Sequence, residues 1–378
     1  MTTHPSRSVQ WPPVVLVLDR YDDAAHTHAA LAAHDPAAGR ITLHPGPGTT
    51  SDTAIAHDLL AALGKPPLLP GRYPPGRQPA WEAATAWINA MPVVRLTVLR
   101  AHRLTTGRLE RLLHLREATG IGLTLVCHRP RPPAALHRAL HSVPHTVTSD
   151  LDTARRHYYD GAPTAAASSP GLAPLPRPST ARWMTLPALD RLVSYDVIRP
   201  CTGPCAPVPI SWKQRPPPQP LTDAAAQEIT RRIHLATAHP RLAAALAVTL
   251  LTGASFQQLL TVRTDDLGPG AATVAFHDPA RYTDGCATHP IPPWARPFLH
   301  AAACYAALTD SEELLARPNE RPHLLRLAED AKLRPTQPPG RRKAGPGALV
   351  VWDWAEHREA EHYQRLLAIP RTAPTRDR

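Results

Sequence analysis

Residues 250–267 read LLTGASFQQLLTVRTDDL, and residues 289–299 read HPIPPWARPFL. Both runs lie in the segment 221–303, where short apolar stretches alternate with turn residues. Thr222 can cap a first helix, which would carry Asp223 in its first turn. Periodicity and turn residues predict the other elements of the segment, which are helices at 241–251 and 255–261, strands at 273–277 and 289–293, and a helix from 294 onward.

The order of these elements and the wording of the two runs resemble the catalytic domain of tyrosine recombinases, the enzymes known as phage integrases. That family shares the template LLTGxRxxELLxLRWxDL, followed by a small sheet and a PLPPxLxPLL helix. The resemblance covers residues 221–303. It implies a mainly α domain with a small β-hairpin or sheet, which we assign to residues 221–370.

The positions that carry the chemistry of that family hold other residues in this chain. The resemblance places an arginine at Ser255 and an acidic residue at Gln258. It also places a lysine on the hairpin, but no lysine lies between Lys213 and Lys332. These enzymes cleave DNA with a tyrosine while fixed cations neutralise the phosphate. Because losing one such group costs about 3–4 kcal/mol of transition-state stabilisation, the substitutions predict a fold without strand cleavage.

A second interpretation keeps a recombinase active site near the C-terminus. Residues 323–326 read HLLR, which matches the HxLR box of the family, and Tyr363 lies downstream of it. The longer run HLLRLAEDAKL fits better to the helix that precedes the box, so we expect a surface helix here. Whether His323, Arg326 and Tyr363 form a residual active site stays open at the level of sequence.

The first 160 residues alternate between strand and helix patterns. Apolar runs predict strands at 14–19, 41–44, 95–100 and 122–127, with helices at 24–33, from about 53, at 81–90, 106–119 and 134–141. This alternation is typical of a three-layer α/β domain with a mostly parallel sheet, which we assign to residues 1–160.

This half resembles the AAA+ ATPases that act in transposition and DNA transfer. Residues 46–54 read GPGTTSDTA where that family has GPPGTGKTT, and residues 96–104 read LTVLRAHRL where it has LVIDEAHRL. Asp52 stands in place of the phosphate-binding lysine, and Leu99 and Arg100 stand in place of the magnesium-binding and catalytic acids. Because a carboxylate repels phosphate, the resemblance implies a degenerate P-loop fold with no nucleotide cofactor. The alternative is a generic α/β domain with a chance likeness.

The two halves are separated by a Pro-rich linker region, predicted at residues 161–220. Its first part, 161–180, is of low complexity and predicts an exposed connection. Cys201 and Cys205 form a single CxxxC pair. Since no second pair follows at zinc spacing, the sequence favours two loop cysteines over metal ligands, and we assign no metal.

The 378-residue chain has a net charge of +11 at pH 7, which favours an acidic partner and above all nucleic acid. A compositional bias toward Arg, Ala and Pro explains the charge equally well. Five scattered cysteines fit a reducing cytoplasm. No run of about 18 apolar residues predicts a membrane span, and the N-terminus lacks the apolar core of a signal peptide.

From these observations we expect a catalytically silent, DNA-associated protein of a mobile-element or recombination system. Its partners would be DNA, an active integrase or ATPase, or both, because phosphate contact needs little more than well-placed cations. The alternatives are an active DNA-cleaving tyrosine recombinase and a Pro-rich protein-interaction scaffold that does not bind DNA. The expected nucleic-acid contacts are Arg231, Arg232, Arg263, Arg281, Arg341, Arg342 and Lys343.

Overall fold

The structure is a computed structural model, and it divides the chain into two compact units. It describes residues 12–46, 51–71, 73, 77–159, 183–184, 186–193, 198, 201, 205–210, 221–278 and 286–334. The first unit contains residues 12–159, joined by Ala238–Pro240 and Pro297–Ser311. The second contains the described residues of 183–237 together with Arg241–Arg296 and 312–334. The predicted boundary at residue 160 and the stretch 161–180 lie outside the described residues.

Helices and strands alternate along the first unit, and the second unit is mainly helical. In chain order they are β1 (Val14–Leu18), α1 (Ala24–Ala32), β2 (Arg40–Leu43), α2 (Asp52–Ala62), α3 (Ala80–Ala90), β3 (Arg95–Val98), α4 (Thr106–Thr119), β4 (Gly122–Cys127), α5 (Ala134–Leu140), β5 (His145–Thr148), α6 (Leu151–Tyr159), β6 (Val208–Pro209), α7 (Asp223–Ala236), α8 (Pro240–Thr252), α9 (Phe256–Leu259), β7 (Thr273–Phe276), β8 (Ala287–Pro290), α10 (Arg296–Leu308) and α11 (Arg321–Asp330). No described helix combines the length and the apolar character needed to cross a bilayer.

A five-stranded parallel sheet lies at the centre of the first unit. Its strand order is β2-β3-β4-β1-β5, and each neighbouring pair is parallel. The predicted α/β class with a parallel sheet is therefore confirmed. The strand β5 and the helix α6 were not part of the prediction, because the edge strand reads HTVT and is mostly exposed, so it lacks an apolar run.

Helices cover both faces of this sheet, which explains why its inner strands are continuous apolar runs. β4 is buried at every position. Val15 and Val17 of β1 lie in one apolar cluster with Ala29 and Ala30 of α1 and Tyr158 of α6. The connections that contain α2 to α5 cross the sheet in the opposite direction to the one that contains α1. Right-handed crossovers therefore place α2 to α5 on the other face.

The second unit combines helices with a small mixed sheet of order β6-β8-β7. β7 and β8 form an antiparallel hairpin, and β6 pairs with β8 in parallel. Thr222 caps α7 as predicted, since its hydroxyl accepts a hydrogen bond from the Ala225 backbone N–H. β6 and a short 3-10 helix at Pro187–Leu192 lie within the stretch predicted as linker. A mainly α unit with a small sheet is thus confirmed, while the likeness to an integrase stays a prediction.

Candidate functional site

The carboxyl ends of β1 and β4 form the crevice where an open parallel sheet favours ligand binding. These strands are neighbours, but their connections run in opposite directions: the chain goes from β1 to β2 at one edge of the sheet, and from β4 to β5 at the other edge. Ligands bind at such a switch point because the following helices lie on opposite faces and leave a gap between the strand ends. Asp19 directly follows β1, and His128 directly follows β4. A polar pair therefore occupies the most favoured ligand position of the first unit.

Hydrogen bonds and an ion pair close this crevice from within. His128 Nδ1 lies 2.7 Å from Asp19 Oδ2, and the two side chains are 0% and 2% exposed. The Asp23 backbone N–H donates to Asp19 Oδ1 at 2.8 Å. Asp22 lies 3.2 Å from the same imidazole nitrogen, and Arg100 Nη1 reaches its other oxygen at 2.8 Å. We call these four side chains, of Asp19, Asp22, Arg100 and His128, the crevice cluster.

Burial favours the neutral form of the imidazoles at the crevice. Burial lowers the pKa of His128 despite its hydrogen bond with Asp19. Burial and the charge of Arg129 lower the pKa of His102 to about 4. A neutral ring that donates from Nδ1 keeps its lone pair on Nε2, and this atom of His128 has no hydrogen-bond partner among the described residues. An oriented imidazole of this kind resembles a general base, but the full burial of the His128 side chain separates it from solvent.

The run GPGTTSDTA follows the edge strand β2 in the chain, and its residues 47–50 lie outside the described residues. Ser51 caps α2 by accepting a hydrogen bond from the Ala54 backbone N–H at 3.1 Å. Asp52 begins the helix, and its carboxylate lies 3.6 Å from Arg108. An acidic first turn stabilises the helix N-terminus and competes with a bound phosphate. Leu99, which the AAA+ resemblance aligns with a magnesium-binding acid, is fully buried.

Three of the arginines predicted to contact nucleic acid lie in the described residues, and each has an acidic neighbour. Arg231 and Arg232 lie on α7, and both donate to Glu228 at 2.6 Å. Their hydrogen bonds lower the pKa of Glu228, that from Arg231 most. Arg263 is half exposed, with its Nη1 3.9 Å from Glu313. The other predicted contacts, Arg281, Arg341, Arg342 and Lys343, lie outside the described residues.

Ser255 and Gln258, which the recombinase resemblance aligns with an arginine and an acidic residue, have structural roles in the described part of the chain. Ser255 is fully buried, where it caps α9 in a capping box with Gln258. A buried capping serine cannot take the place of an arginine that contacts phosphate. His323 and Arg326 lie on α11, and Tyr363 lies outside the described residues.

Cys201 and Cys205, interpreted from sequence as two loop residues, have further residues of ligand type beside them. His277 directly follows β7, Cys286 directly precedes β8, and the donor atoms of all four lie within 4.8 Å of one another. The sequence pattern does not reveal this group, because its second half is one histidine and one cysteine rather than a second cysteine pair. The available signal was a histidine and a cysteine that bracket the turn of the predicted hairpin.

Comparison of the chain with models of known protein families, with curated proteins and with solved structures finds no match.

Proposed function

We propose that this protein is a catalytically silent, DNA-associated protein of a mobile-element or recombination system, which binds DNA, an integrase or ATPase partner, or both. The observation that carries the proposal is the net charge of +11. A cationic surplus attracts the phosphate backbone through counterion release and needs no catalytic group. The resemblance of both halves to enzymes that act on DNA supports the same partner.

The acidic residues at the strand ends support the catalytic silence of the first unit. Asp19 and Asp22 occupy the crevice at the switch point, and Asp52 opens the helix after the degenerate turn. ATP-binding loops present backbone N–H groups and a lysine to the phosphates, whereas carboxylates repel them. Isothermal calorimetry with ATP and Mg²⁺ should therefore detect no binding, and tight binding would contradict the proposal.

Salt-dependent DNA binding tests the other half of the proposal. Fluorescence anisotropy with labelled duplexes should show log K falling by about 0.9 per neutralised phosphate for each log unit of salt. Replacing Arg341, Arg342 and Lys343 together with alanine should flatten this slope by up to about three phosphate equivalents.

A charge-matched variant controls for the general loss of positive charge. Arg131, Arg155 and Arg156 are exposed arginines of the first unit, so their joint replacement with alanine removes the same charge elsewhere. Equal flattening in both variants would remove the segment 341–343 from the interface. Undetectable binding at low salt would overturn the DNA proposal in favour of a protein-interaction scaffold. A covalent DNA adduct that is lost in Tyr363→Phe would overturn the catalytic silence.

A further inference from the structure

One end of the small mixed sheet brings together side chains from three chain segments. Phe276 of β7 and Ala287 of β8 form the last residue pair of the hairpin. His277 directly follows Phe276 and Cys286 directly precedes Ala287, so these two residues lie side by side. β6 pairs with β8 in parallel and starts at the same end. Cys201 and Cys205 precede β6, which places both next to the hairpin residues. We call these four residues the thiol cluster.

The donor atoms of the thiol cluster converge on one point. His277 Nδ1 lies 2.9 Å from Cys205 Sγ and 3.4 Å from Cys201 Sγ, and these two sulfurs are 3.4 Å apart. Tetrahedral zinc, with sulfur at about 2.3 Å and nitrogen at about 2.0 Å, would separate two sulfurs by about 3.8 Å and a sulfur from a nitrogen by about 3.5 Å. The observed distances are shorter by about 0.6 Å or less, so small side-chain adjustments would accommodate one ion.

The cysteines of the cluster are free thiols. A disulfide requires sulfurs about 2.05 Å apart, whereas Cys201 Sγ and Cys205 Sγ are 3.4 Å apart. Zinc binds the thiolate form of cysteine, so loading of the site would release the protons of these thiols.

A carboxylate fixes the imidazole in the orientation that a metal requires. His277 Nε2 donates to Asp266 Oδ1 at 2.7 Å, which leaves the lone pair of Nδ1 directed at the sulfurs. Asp266 is itself held, because its Oδ2 accepts a hydrogen bond from the Arg263 backbone N–H at 2.7 Å. Metal-binding histidines commonly donate their second ring nitrogen to a carboxylate in this way.

We propose that Cys201, Cys205, His277 and Cys286 bind a zinc ion in a closed site, with Asp266 as the positioning residue. Three thiolates and one imidazole form a ligand set that zinc uses in structural sites, and soft sulfur ligands disfavour magnesium and calcium. All four tetrahedral positions come from the protein, so the ion offers no open position for a substrate. Its role is structural.

The ion stabilises a segment that the strand pairing holds weakly. β6 has two residues, and both are exposed. Zinc ligation ties this segment to the β7–β8 hairpin and, through Asp266, to the short 3-10 helix at Thr264–Asp266. Metal loading thus determines the order of this end of the second unit.

The full-length protein, purified in reducing buffer without chelators, tests the proposal. Elemental analysis should find about one zinc per chain, and replacement by Co²⁺ should produce the charge-transfer absorption of thiolate ligation. The variant with Cys201→Ser and Cys205→Ser should lose both signals. Cys304→Ser, a cysteine of α10 outside the thiol cluster, is the matched control and should keep both.

Asp266→Asn tests the positioning role. It should weaken zinc affinity by about 10–100-fold while the cobalt charge-transfer band persists, because the sulfurs still bind. If the double serine variant fails to fold, the wild-type protein takes its place. Zn²⁺ is then removed from the wild type and returned to it, and metal binding is followed by the cobalt absorption. Absence of zinc from the wild type, unchanged zinc in the double serine variant, or a Cys201–Cys205 disulfide that persists after purification in reducing buffer would each overturn the proposal.

Discussion

The two units each contain a cluster of ligand-type side chains, but the clusters differ in how their charge is compensated. In the crevice cluster, Asp19 accepts a hydrogen bond from His128, and Asp22 pairs with Arg100. In the thiol cluster, the sulfurs of three cysteines surround Nδ1 of His277. The first arrangement pairs its carboxylates with N–H donors and a cation, whereas the second gathers sulfur and nitrogen electron-pair donors and is the cluster for which we propose a zinc ion. What a group of His, Asp and Cys residues can bind therefore depends on how its donor atoms are compensated, and not on proximity alone.

Metal removal should produce the largest difference between the clusters. Structural zinc contributes about 10–16 kcal/mol of apparent binding free energy in small metal-dependent domains, so a strong chelator should destabilise the end of the sheet that carries β6 to β8. Hydrogen exchange followed by mass spectrometry should show lost protection there, with β1 and β4 unchanged. Equal loss of protection around the crevice cluster would break the comparison.

Breaking the crevice cluster should cost less. Asp19→Ala removes the acceptor of the Asp23 N–H and the nearer of the two carboxylates beside the buried His128, and should lower the free energy of unfolding by about 3 kcal/mol in urea titrations. The exposed Asp152 on α6 provides the control, since Asp152→Ala should change the free energy of unfolding by about 0.5 kcal/mol or less. A zinc content that drops in Asp19→Ala would show that the two clusters are not independent.

Acidification should affect the crevice through its neutral histidines. The pKa of His102 falls from 6.5 to about 4 on folding, so the unfolded chain binds more protons between these values. The associated stability is fully present above pH 6.5 and is lost as the pH falls toward 4. His102→Gln should remove about 1 kcal/mol of this pH dependence, a value reduced for solvent screening of the partly exposed ring. If the pH dependence of the free energy of unfolding were the same in His102→Gln and in the wild type, the lowered pKa of His102 would not be its source.

The smallest effect is expected at the outer edge of the crevice cluster. Asp22 and Arg100 form an ion pair with side chains 50% and 22% exposed. Such pairs contribute little, so Asp22→Asn should lower the free energy of unfolding by about 0.5 kcal/mol. A cost similar to that of Asp19→Ala, measured in the same urea titration, would mean that the cluster acts as one cooperative network.

Local sequence patterns identified most strands and helices of the first unit. The predicted helix at 106–119 and the predicted strand at 122–127 coincide with α4 and β4. Gly120 separates them with a φ of 74°, a left-handed conformation that favours glycine, so helix, turn and strand are each readable from adjacent residues. The edge strand β5 lacked such a pattern, because one exposed edge does not require an apolar run.

The sequence by itself determined the α/β class of the first unit and the small sheet of the second, because these depend on neighbours along the chain. Strand order, which only the tertiary structure decides, put the switch point of the sheet at the ends of β1 and β4 and left β2 at the edge, although the Gly/Pro-rich run follows β2 in the sequence. The thiol cluster likewise depends on the tertiary structure. Cys205 and His277 are 72 residues apart, and they meet only because of the pairing of β6, β8 and β7. Long-range strand pairing, and not local propensity, brings such donor atoms together.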